Sequence, residues 1–257
     1  MTTKPTIIVA VDREHLPELA VSLPTWRKNV EDFDLFPAMI IFDDDYDGMK
    51  ESIARSEVFD MISMRHGPTR FISSRSIVGD MTRQGGQPIT QREKMLTALA
   101  FAPLHVSTPT YLKLDTDTIA LPVADSLLSC GVLKDAPIAA PRWGYTKPGS
   151  WIDTLDQWAD QVAPGNVKPY REPAGRIARS KRIISYAMLG STAFARQCLS
   201  LLGGSNRLPV PSQDTFYWYC CELLGKKCQR LSPNSLQWRH AGGNMRKLKE
   251  LASEAMQ

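Results

Sequence analysis

Near the middle of the chain stands the stretch Thr110-Tyr-Leu-Lys-Leu-Asp-Thr-Asp-Thr-Ile-Ala120. Its apolar, β-prone residues lead directly into two carboxylates, Asp115 and Asp117, and apolar residues follow again. Because residues two apart in an extended chain point to the same side, the stretch predicts two carboxylates presented together at the end of a strand. Hard oxygen ligands in this arrangement are typical of Mg²⁺ or Mn²⁺ sites that share the ion with water and a diphosphate. The alternative is that Asp-x-Asp is only a polar turn after a strand. Features elsewhere in the sequence distinguish a metal site from such a turn.

Two earlier apolar runs also end in acidic residues. Ile7-Ile-Val-Ala-Val11 precedes Asp12, and Ala38-Met-Ile-Ile-Phe42 precedes the cluster Asp43-Asp-Asp-Tyr-Asp47. Both runs are apolar throughout, as expected of strands that are buried on both faces of a parallel sheet. Leucines at helical spacing between them complete a βαβ unit and indicate an α/β domain. Ligands of such sheets bind beyond the carboxyl ends of the strands, which is where the acidic residues are expected to lie.

The composition is that of one large folded domain. The chain has 257 residues, of which 43% are hydrophobic and 23% charged, and this is enough for a sizeable core. A formal net charge of +4 permits anionic ligands without indicating nucleic-acid binding. Five cysteines without a Cys-x-x-Cys pair argue against a disulfide framework or a zinc site. No apolar run reaches membrane-spanning length, so we expect a cytoplasmic protein, with peripheral contact to a membrane left open.

Residues 141–182 mix aromatic and basic side chains, among them Trp143, and predict an arm on the main domain because the segment is too short for its own core. A lid over a diphosphate, an acceptor site and a solvated loop are all compatible with this composition. Residues 67–87 predict a surface loop. Thr90-Gln-Arg-Glu93 is a capping box that predicts the start of a helix, and Ser212-Gln-Asp-Thr215 predicts another.

The order of these features resembles that of the GT-A glycosyltransferases, enzymes that use nucleoside-diphosphate sugars and carry a metal-binding Asp-x-Asp. The resemblance covers the chain from roughly Thr6 to His240. It rests on a succession of short motifs: Ile-Ile-Val-Ala-Val-Asp12, Ile-Ile-Phe-Asp-Asp-Asp45, a helix with Arg92 and Lys94, Leu-Lys-Leu-Asp-Thr-Asp117, Gly190-Ser191, Ser-Gln-Asp214 and Trp-Arg-His240. It implies a single GT-A-like (Rossmann-like) α/β/α sandwich over residues 1–257, with a mostly parallel central sheet.

The same resemblance implies transfer of a sugar from a nucleoside-diphosphate sugar, with UDP the expected nucleotide, to a hydroxyl group. Asp117 is expected to bind Mn²⁺ or Mg²⁺, His240 to be a further ligand, and Asp115 to touch the metal, ribose or sugar. The expected donor-binding residues are Ala10, Asp12, Asp43, Asp44, Arg92, Lys94 and Asp115. The expected acceptor-binding residues are Trp143, Gly190 and Ser191. The acceptor itself stays open among glycans, lipid-linked sugars, phosphorylated molecules and modified DNA bases.

Asp214 is the expected general base, by resemblance to an acidic residue that opens a helix facing the acceptor. A helix N-terminus favours the ionised carboxylate, which then takes a proton from the acceptor hydroxyl in an inverting displacement. This chain has Gln213-Asp214 where the family has a pair of acids, so a retaining reaction stays open. The alternative role for Asp214 is that of a plain helix cap. The alternative for Arg92 and His240 is an ordinary surface position.

Three other functions are compatible with part of the sequence. Asp43-x-Asp45-x-Asp47-Gly48 matches the opening of a calcium loop, but Ala54 stands where that loop needs a bidentate glutamate. A sugar nucleotidyltransferase needs a glycine-rich loop after the first strand, and Val11-Asp-Arg-Glu-His15 contains no glycine. A carbohydrate- or nucleotide-binding module without catalysis stays open.

Overall fold

A computed structural model of the chain describes residues 4–42, 67–79, 89–122, 136–140, 142–145, 151–163, 181–184, 186–210, 212–230 and 238–257. Asp43 and Asp44, with the rest of the acidic cluster, lie outside the described residues. Most of the arm predicted at 141–182 also lies outside them.

The described residues form eleven strands. In chain order they are β1 (Thr6–Val11), β2 (Ala38–Phe42), β3 (Thr69–Ser73), β4 (Thr110–Leu114), β5 (Thr118–Ala120), β6 (Ile138–Ala140), β7 (Arg142–Tyr145), β8 (Lys181–Ile184), β9 (Ala187–Ser191), β10 (Gln229–Arg230) and β11 (Trp238–His240). Seven of them form one sheet in the order β10-β6-β9-β4-β1-β2-β3. β9 runs antiparallel to β4 and β6, and the other neighbours are parallel. β5 pairs with β11, and β7 with β8, in two small antiparallel ladders.

Seven α-helices connect these strands within the described residues. They are α1 (Leu16–Asn29), α2 (Ser74–Val78), α3 (Gln91–Phe101), α4 (Trp151–Val162), α5 (Thr192–Ser200), α6 (Gln213–Leu223) and α7 (Met245–Ala255). Both predicted helix starts are confirmed. Thr90 and Glu93 form the capping box of α3, and the Ser212 side chain accepts the Thr215 N–H at the start of α6. Among the described helices, none is long and apolar enough to cross a membrane.

The sheet has a separate apolar core on each face, because alternate strand residues point to opposite sides. On one face Leu19 and Trp26 of α1 pack against strand residues such as Ile7 and Leu112. On the other face α3, α5 and α6 pack against the alternate strand residues, among them Tyr111. The predicted α/β/α sandwich with a mostly parallel sheet is therefore confirmed.

The strand register brings the acidic strand ends to one edge of the sheet. Val9 of β1 pairs with Leu114 of β4, and Val11 pairs with Phe42 of β2. Asp12 and Asp115 therefore leave the sheet at the same carboxyl edge, where ligands of α/β sheets bind.

One local prediction was wrong, because the segment 67–87, predicted as a surface loop, contains β3 and α2. β3 is an edge strand in which only Ile72 is buried, so its sequence carries little of the pattern of a core strand. β8 and β9 are separate strands, because the chain passes between them from the small ladder into the main sheet.

Candidate metal and donor site

Asp115 and Asp117 lie in a tight turn between β4 and β5. The Thr118 N–H donates to the Asp115 carbonyl at 3.1 Å and closes the turn. The predicted extended chain across the two residues is therefore wrong. The reason is that the chain leaves the main sheet after Leu114 and enters the small β5–β11 ladder at Thr118. The turn nevertheless keeps both carboxylates at the carboxyl edge of β4.

The β5–β11 ladder brings His240 to these carboxylates. His240 pairs with Thr118 across the ladder, and its Nε2 lies 3.0 Å from Oδ1 of Asp117. Asp115, Asp117 and His240 offer ligand atoms that all lie within 4.8 Å of one another. The structure thus brings together the three residues that the sequence predicted as metal ligands.

Asp117 is held as an anion by its surroundings. Its side chain is 7% exposed, and its second oxygen, Oδ2, accepts the Gly243 N–H at 2.7 Å. Gly242 and Gly243 have φ values of +71° and +72°, a left-handed conformation that suits glycine. Burial raises the pKa of Asp117, but hydrogen bonds from His240, Gly243 and Gly242 and the charge of His240 outweigh it and leave the pKa lowered.

Asp115 has a different environment. Its carboxylate is 37% exposed and contacts the ammonium group of Lys113, whose side chain is only 6% exposed. The Asp115 N–H donates to the Tyr186 carbonyl at 2.8 Å. Partial shielding from water raises the pKa of Asp115, and the charge and hydrogen bond of Lys113 offset only part of that effect.

Tyr186 connects the turn to His240. Its ring stacks on the imidazole with 5.1 Å between centroids and 6° between planes. Its carbonyl also accepts the Thr118 hydroxyl at 3.1 Å. A ring of this kind fixes the plane of a histidine ligand in the way that outer-shell partners of metal sites do.

The donor set fits a hard divalent ion. Carboxylate oxygens suit both Mg²⁺ and Mn²⁺, and the imidazole favours the transition metal. The 3.0 Å between Asp117 Oδ1 and His240 Nε2 is the spacing of two adjacent ligands around an octahedral ion with bonds of about 2.1 Å.

The predicted donor-binding residues at the end of β1 lie at the same edge of the sheet. Ala10 is half-buried. Asp12 is 32% exposed, and its Oδ1 accepts the His15 N–H at 2.9 Å and contacts His15 Nδ1 at 2.6 Å. Partial burial lowers the pKa of His15, but the hydrogen bond and charge of Asp12, helped by Glu18 and Glu14, outweigh it and leave the pKa raised. Asp12 therefore also ties down the start of α1.

Arg92 and Lys94 lie in the first turn of α3, with Arg92 exposed and Lys94 half-buried. α3 packs against α2, which follows β3 directly, and α3 leads through a 3₁₀ turn to the start of β4. The first turn of α3 is therefore on the carboxyl side of the sheet, as the predicted phosphate contacts require.

Asp214 lies in the first turn of α6. Its Oδ1 accepts the Ser212 hydroxyl at 2.6 Å and the Thr215 N–H at 3.0 Å, which is a capping role. α6 packs against β8, and β8 ends shortly before Tyr186, so the helix lies beside the strand that precedes Tyr186. The neighbouring Gln213 is 3% exposed, and within the described residues its Nε2 has no hydrogen-bond partner.

The predicted acceptor residues are not brought together. Gly190 and Ser191 pair with Tyr111 and Thr110, at the amino end of β4. At about 3.3 Å per strand residue, Gly190 lies about 13 Å along the strand from Asp115. Ser191 caps α5, and Gly190 makes room for the Tyr111 ring, so both have structural roles at the opposite edge. Trp143 belongs to β7, which follows the carboxyl end of β6, and its side chain lies outside the described part.

Sequence reasoning missed Lys113, Tyr186 and Gly243. A signal existed for Lys113, since a lysine interrupts an otherwise apolar strand. Gly242-Gly243 carries the signal of a helix breaker, but nothing in it indicates a hydrogen bond to Asp117. No local pattern marks Tyr186.

Comparison with solved structures shows the same fold in glycosyltransferases. Core-mannan synthase A (CmsA/Ktr4) from Aspergillus fumigatus, in its Mn/GDP form, is 10% identical with a TM-score of 0.62, over 93% of this chain and 75% of that protein. The bifunctional glycosyltransferase WbbM is 8% identical with a TM-score of 0.58, over 100% of this chain. The galactosyltransferase LgtC, in complex with donor and acceptor sugar analogues, is 12% identical with a TM-score of 0.50, over 98% of this chain and 96% of that protein.

This chain spans 52% of the length of WbbM. No protein-family model matches the sequence, and no curated protein matches it. At identities of 8–12%, these structural similarities establish the fold alone, which is that of the GT-A glycosyltransferases, as the sequence resemblance predicted.

Proposed function

We propose that this chain is a metal-dependent glycosyltransferase that moves a sugar from a nucleoside-diphosphate sugar to a hydroxyl group. The observation that carries the proposal is the Asp115–Asp117–His240 group at the carboxyl edge of a sheet of the GT-A type. Two carboxylates and an imidazole whose ligand atoms lie within 4.8 Å of one another, at the edge where ligands of α/β sheets bind, support a metal site over a purely structural turn.

Asp117 and His240 are the proposed metal ligands, with Mn²⁺ or Mg²⁺ as the ion. When bound, the ion screens the diphosphate and stabilises the charge that develops on the leaving nucleotide. Asp115 is already in contact with Lys113 and 37% exposed, so we assign it to a ribose or sugar hydroxyl in addition to the metal.

The proposed donor contacts follow from the carboxyl edge. Asp12 accepts a hydrogen bond from the base or ribose, and Asp43 or Asp44 accepts a further one. Ala10 is an additional contact to the donor. Arg92 and Lys94 face the phosphates from the first turn of α3. UDP is the nucleotide expected from the sequence, and the Mn/GDP form of core-mannan synthase A is the reason to test GDP-sugars beside UDP-sugars.

Asp214 is the proposed general base, and Trp143 the proposed acceptor contact. A carboxylate in the first turn of a helix is poised to take a proton from an acceptor hydroxyl, which gives an inverting displacement. The buried amide of Gln213 offers an adjacent donor to a sugar oxygen. A retaining outcome remains the alternative, because a glutamine stands in place of the first acid of the pair.

A panel of UDP-sugars and GDP-sugars with Mn²⁺ tests the proposal. We expect release of nucleoside diphosphate from at least one donor, slowly to water and faster with a suitable acceptor. Asp117→Ala should abolish release, while Asp32→Ala, at an exposed residue paired with Lys4, should not change it. If the chain is instead a binding module without catalysis, the wild type and Asp117→Ala should bind the ligand equally well. Neither protein should then release nucleoside diphosphate.

A further inference from the structure

Lys113 is a buried cation in the central strand of the sheet. The residue is 5% exposed, and its neighbours in register are Ile8 of β1 and Met188 of β9. Lysine is almost never fully buried unless it is paired, because removing an ammonium group from water is costly. Its partner here is the carboxylate of Asp115, which belongs to the candidate metal site.

The ion pair changes the charge that an incoming metal ion meets. Asp115 and Asp117 together carry two negative charges, and Lys113 cancels one of them. Counted with the neutral imidazole that binds a metal, the side chains of Lys113, Asp115, Asp117 and His240 together carry a net charge of −1. A divalent ion therefore leaves an excess positive charge there, whereas a diphosphate meets a favourable ammonium group.

We propose that Lys113 sets the order of binding at this site. It weakens the affinity of the empty protein for the divalent ion and strengthens the affinity for the diphosphate, so the ion is taken up together with the donor. This inference rests on the proposed function, because it assumes a metal and a nucleoside diphosphate at the Asp115–Asp117–His240 group. Lys113 acts through charge and through its hold on Asp115, so it is a positioning residue.

The test compares binding by the wild type, Lys113→Met and Lys113→Gln at low ionic strength. Mn²⁺ binding without nucleotide is followed by the electron paramagnetic resonance signal of the free ion. Binding of UDP and GDP without metal is followed by calorimetry. Even with the screening of bulk water, an ammonium group roughly 6 Å from the ion weakens its binding, so Lys113→Met should bind Mn²⁺ at least about tenfold more tightly. The same variant should bind the metal-free nucleotide several-fold more weakly. Lys113→Gln should likewise bind Mn²⁺ more tightly and the metal-free nucleotide more weakly.

A charge effect strengthens Mn²⁺ binding and weakens nucleotide binding, whereas structural damage weakens both. The opposite signs of the two changes in affinity therefore distinguish the two causes. Lys247→Met is the matched control, because Lys247 donates to the His240 carbonyl but is exposed to solvent. It should change either affinity less than about twofold, since salt and water screen exposed charges.

Two outcomes have different meanings. If the wild type binds Mn²⁺ and nucleotide but neither neutral variant tightens Mn²⁺ binding, the role of Lys113 is wrong and the proposed function stands. If the wild type binds neither Mn²⁺ nor UDP nor GDP, alone or in combination, the proposed function fails and the inference fails with it.

Discussion

Tyr186 is the residue on which the orientation of His240 depends. The two rings are parallel within 6°, and the Tyr186 hydroxyl lies 3.5 Å from the Trp238 carbonyl, at the outer limit of a hydrogen bond. The ring itself, rather than the hydroxyl, is therefore the feature that fixes the imidazole plane.

Replacing the ring should weaken the metal site. Tyr186→Leu should lower Mn²⁺ affinity by a factor of about 10 to 100, the usual effect of losing an outer-shell partner. Tyr186→Phe is the control and should stay within about threefold of the wild type, because it keeps the stacked ring. Titration with Mn²⁺, in the presence of UDP or GDP, measures both variants. Equal losses in the two variants would contradict the role of stacking.

The Asp12–His15 pair makes stability depend on pH in a defined direction. The pKa of His15 is raised in the folded protein, so the pair stabilises it below the unfolded pKa of about 6.5. This contribution is lost as pH rises through the raised pKa. In urea denaturation, Asp12→Asn should therefore cost more stability at about pH 5.5 than at about pH 8.5. A cost that is the same at both pH values would show that Asp12 acts only as an acceptor for the His15 N–H.

At the level of elements, α1 supports the turn that carries the carboxylates. The Thr116 hydroxyl donates to Glu18 at 2.7 Å, and the Ser22 hydroxyl donates to the Thr116 carbonyl at 2.6 Å, both in buried surroundings. Trp26 adds a bond from its indole N–H to the Thr118 carbonyl at 2.6 Å. The packing of α1 thus supports the turn that carries the carboxylates of the candidate metal site.

Thr116→Val tests this support, because it keeps the shape of the side chain and removes the hydroxyl. It should lower the free energy of unfolding by about 1–3 kcal/mol, since a buried Glu18 oxygen loses its hydrogen bond. Urea denaturation gives the value, and Thr116→Ser, which keeps the hydroxyl, should lose much less. An unchanged urea midpoint for Thr116→Val would mean that the hydrogen bond from Thr116 to Glu18 does not stabilise the turn.

The Tyr111 ring of β4 packs over Gly190 of β9, where no side chain occupies the space. A Cβ there would lie 2.4 Å from Cζ of Tyr111, so Gly190→Ala should lower the free energy of unfolding by about 1–3 kcal/mol. Metal affinity should not change, because the site lies at the other edge of the sheet.

A double-mutant cycle with Tyr111→Leu isolates the contact. The alanine should cost less in the Tyr111→Leu background than in the wild type. A fall in Mn²⁺ affinity for Gly190→Ala alone would point instead to a role of Gly190 at the site.

At the scale of the whole molecule, sequence patterns predicted the strands and helix starts whose signals lie within a few neighbouring residues. The apolar runs of β1, β2 and β4 and the caps of α3 and α6 carry their signals within a few residues. β3 was not predicted, because an edge strand with one buried residue has no such signal.

The site depends on contacts between distant parts of the chain. Tyr186 lies 68 residues from Thr118, its hydrogen-bond partner, and Gly243 lies 126 residues from Asp117. His240 was expected near the carboxylates only through the resemblance to a family. The turn at Asp115–Asp117 differed from the predicted strand because β5 pairs with β11, a ladder that the sequence does not reveal.

The most direct test of the metal site is anomalous diffraction from crystals soaked with Mn²⁺ and either UDP or GDP. We expect one manganese peak bonded to Asp117 and His240 at roughly 2.1 Å, with the diphosphate on its open side. A nucleotide bound at the carboxyl edge with no manganese at these residues would contradict the assignment. A manganese peak at other residues of the protein would contradict it equally.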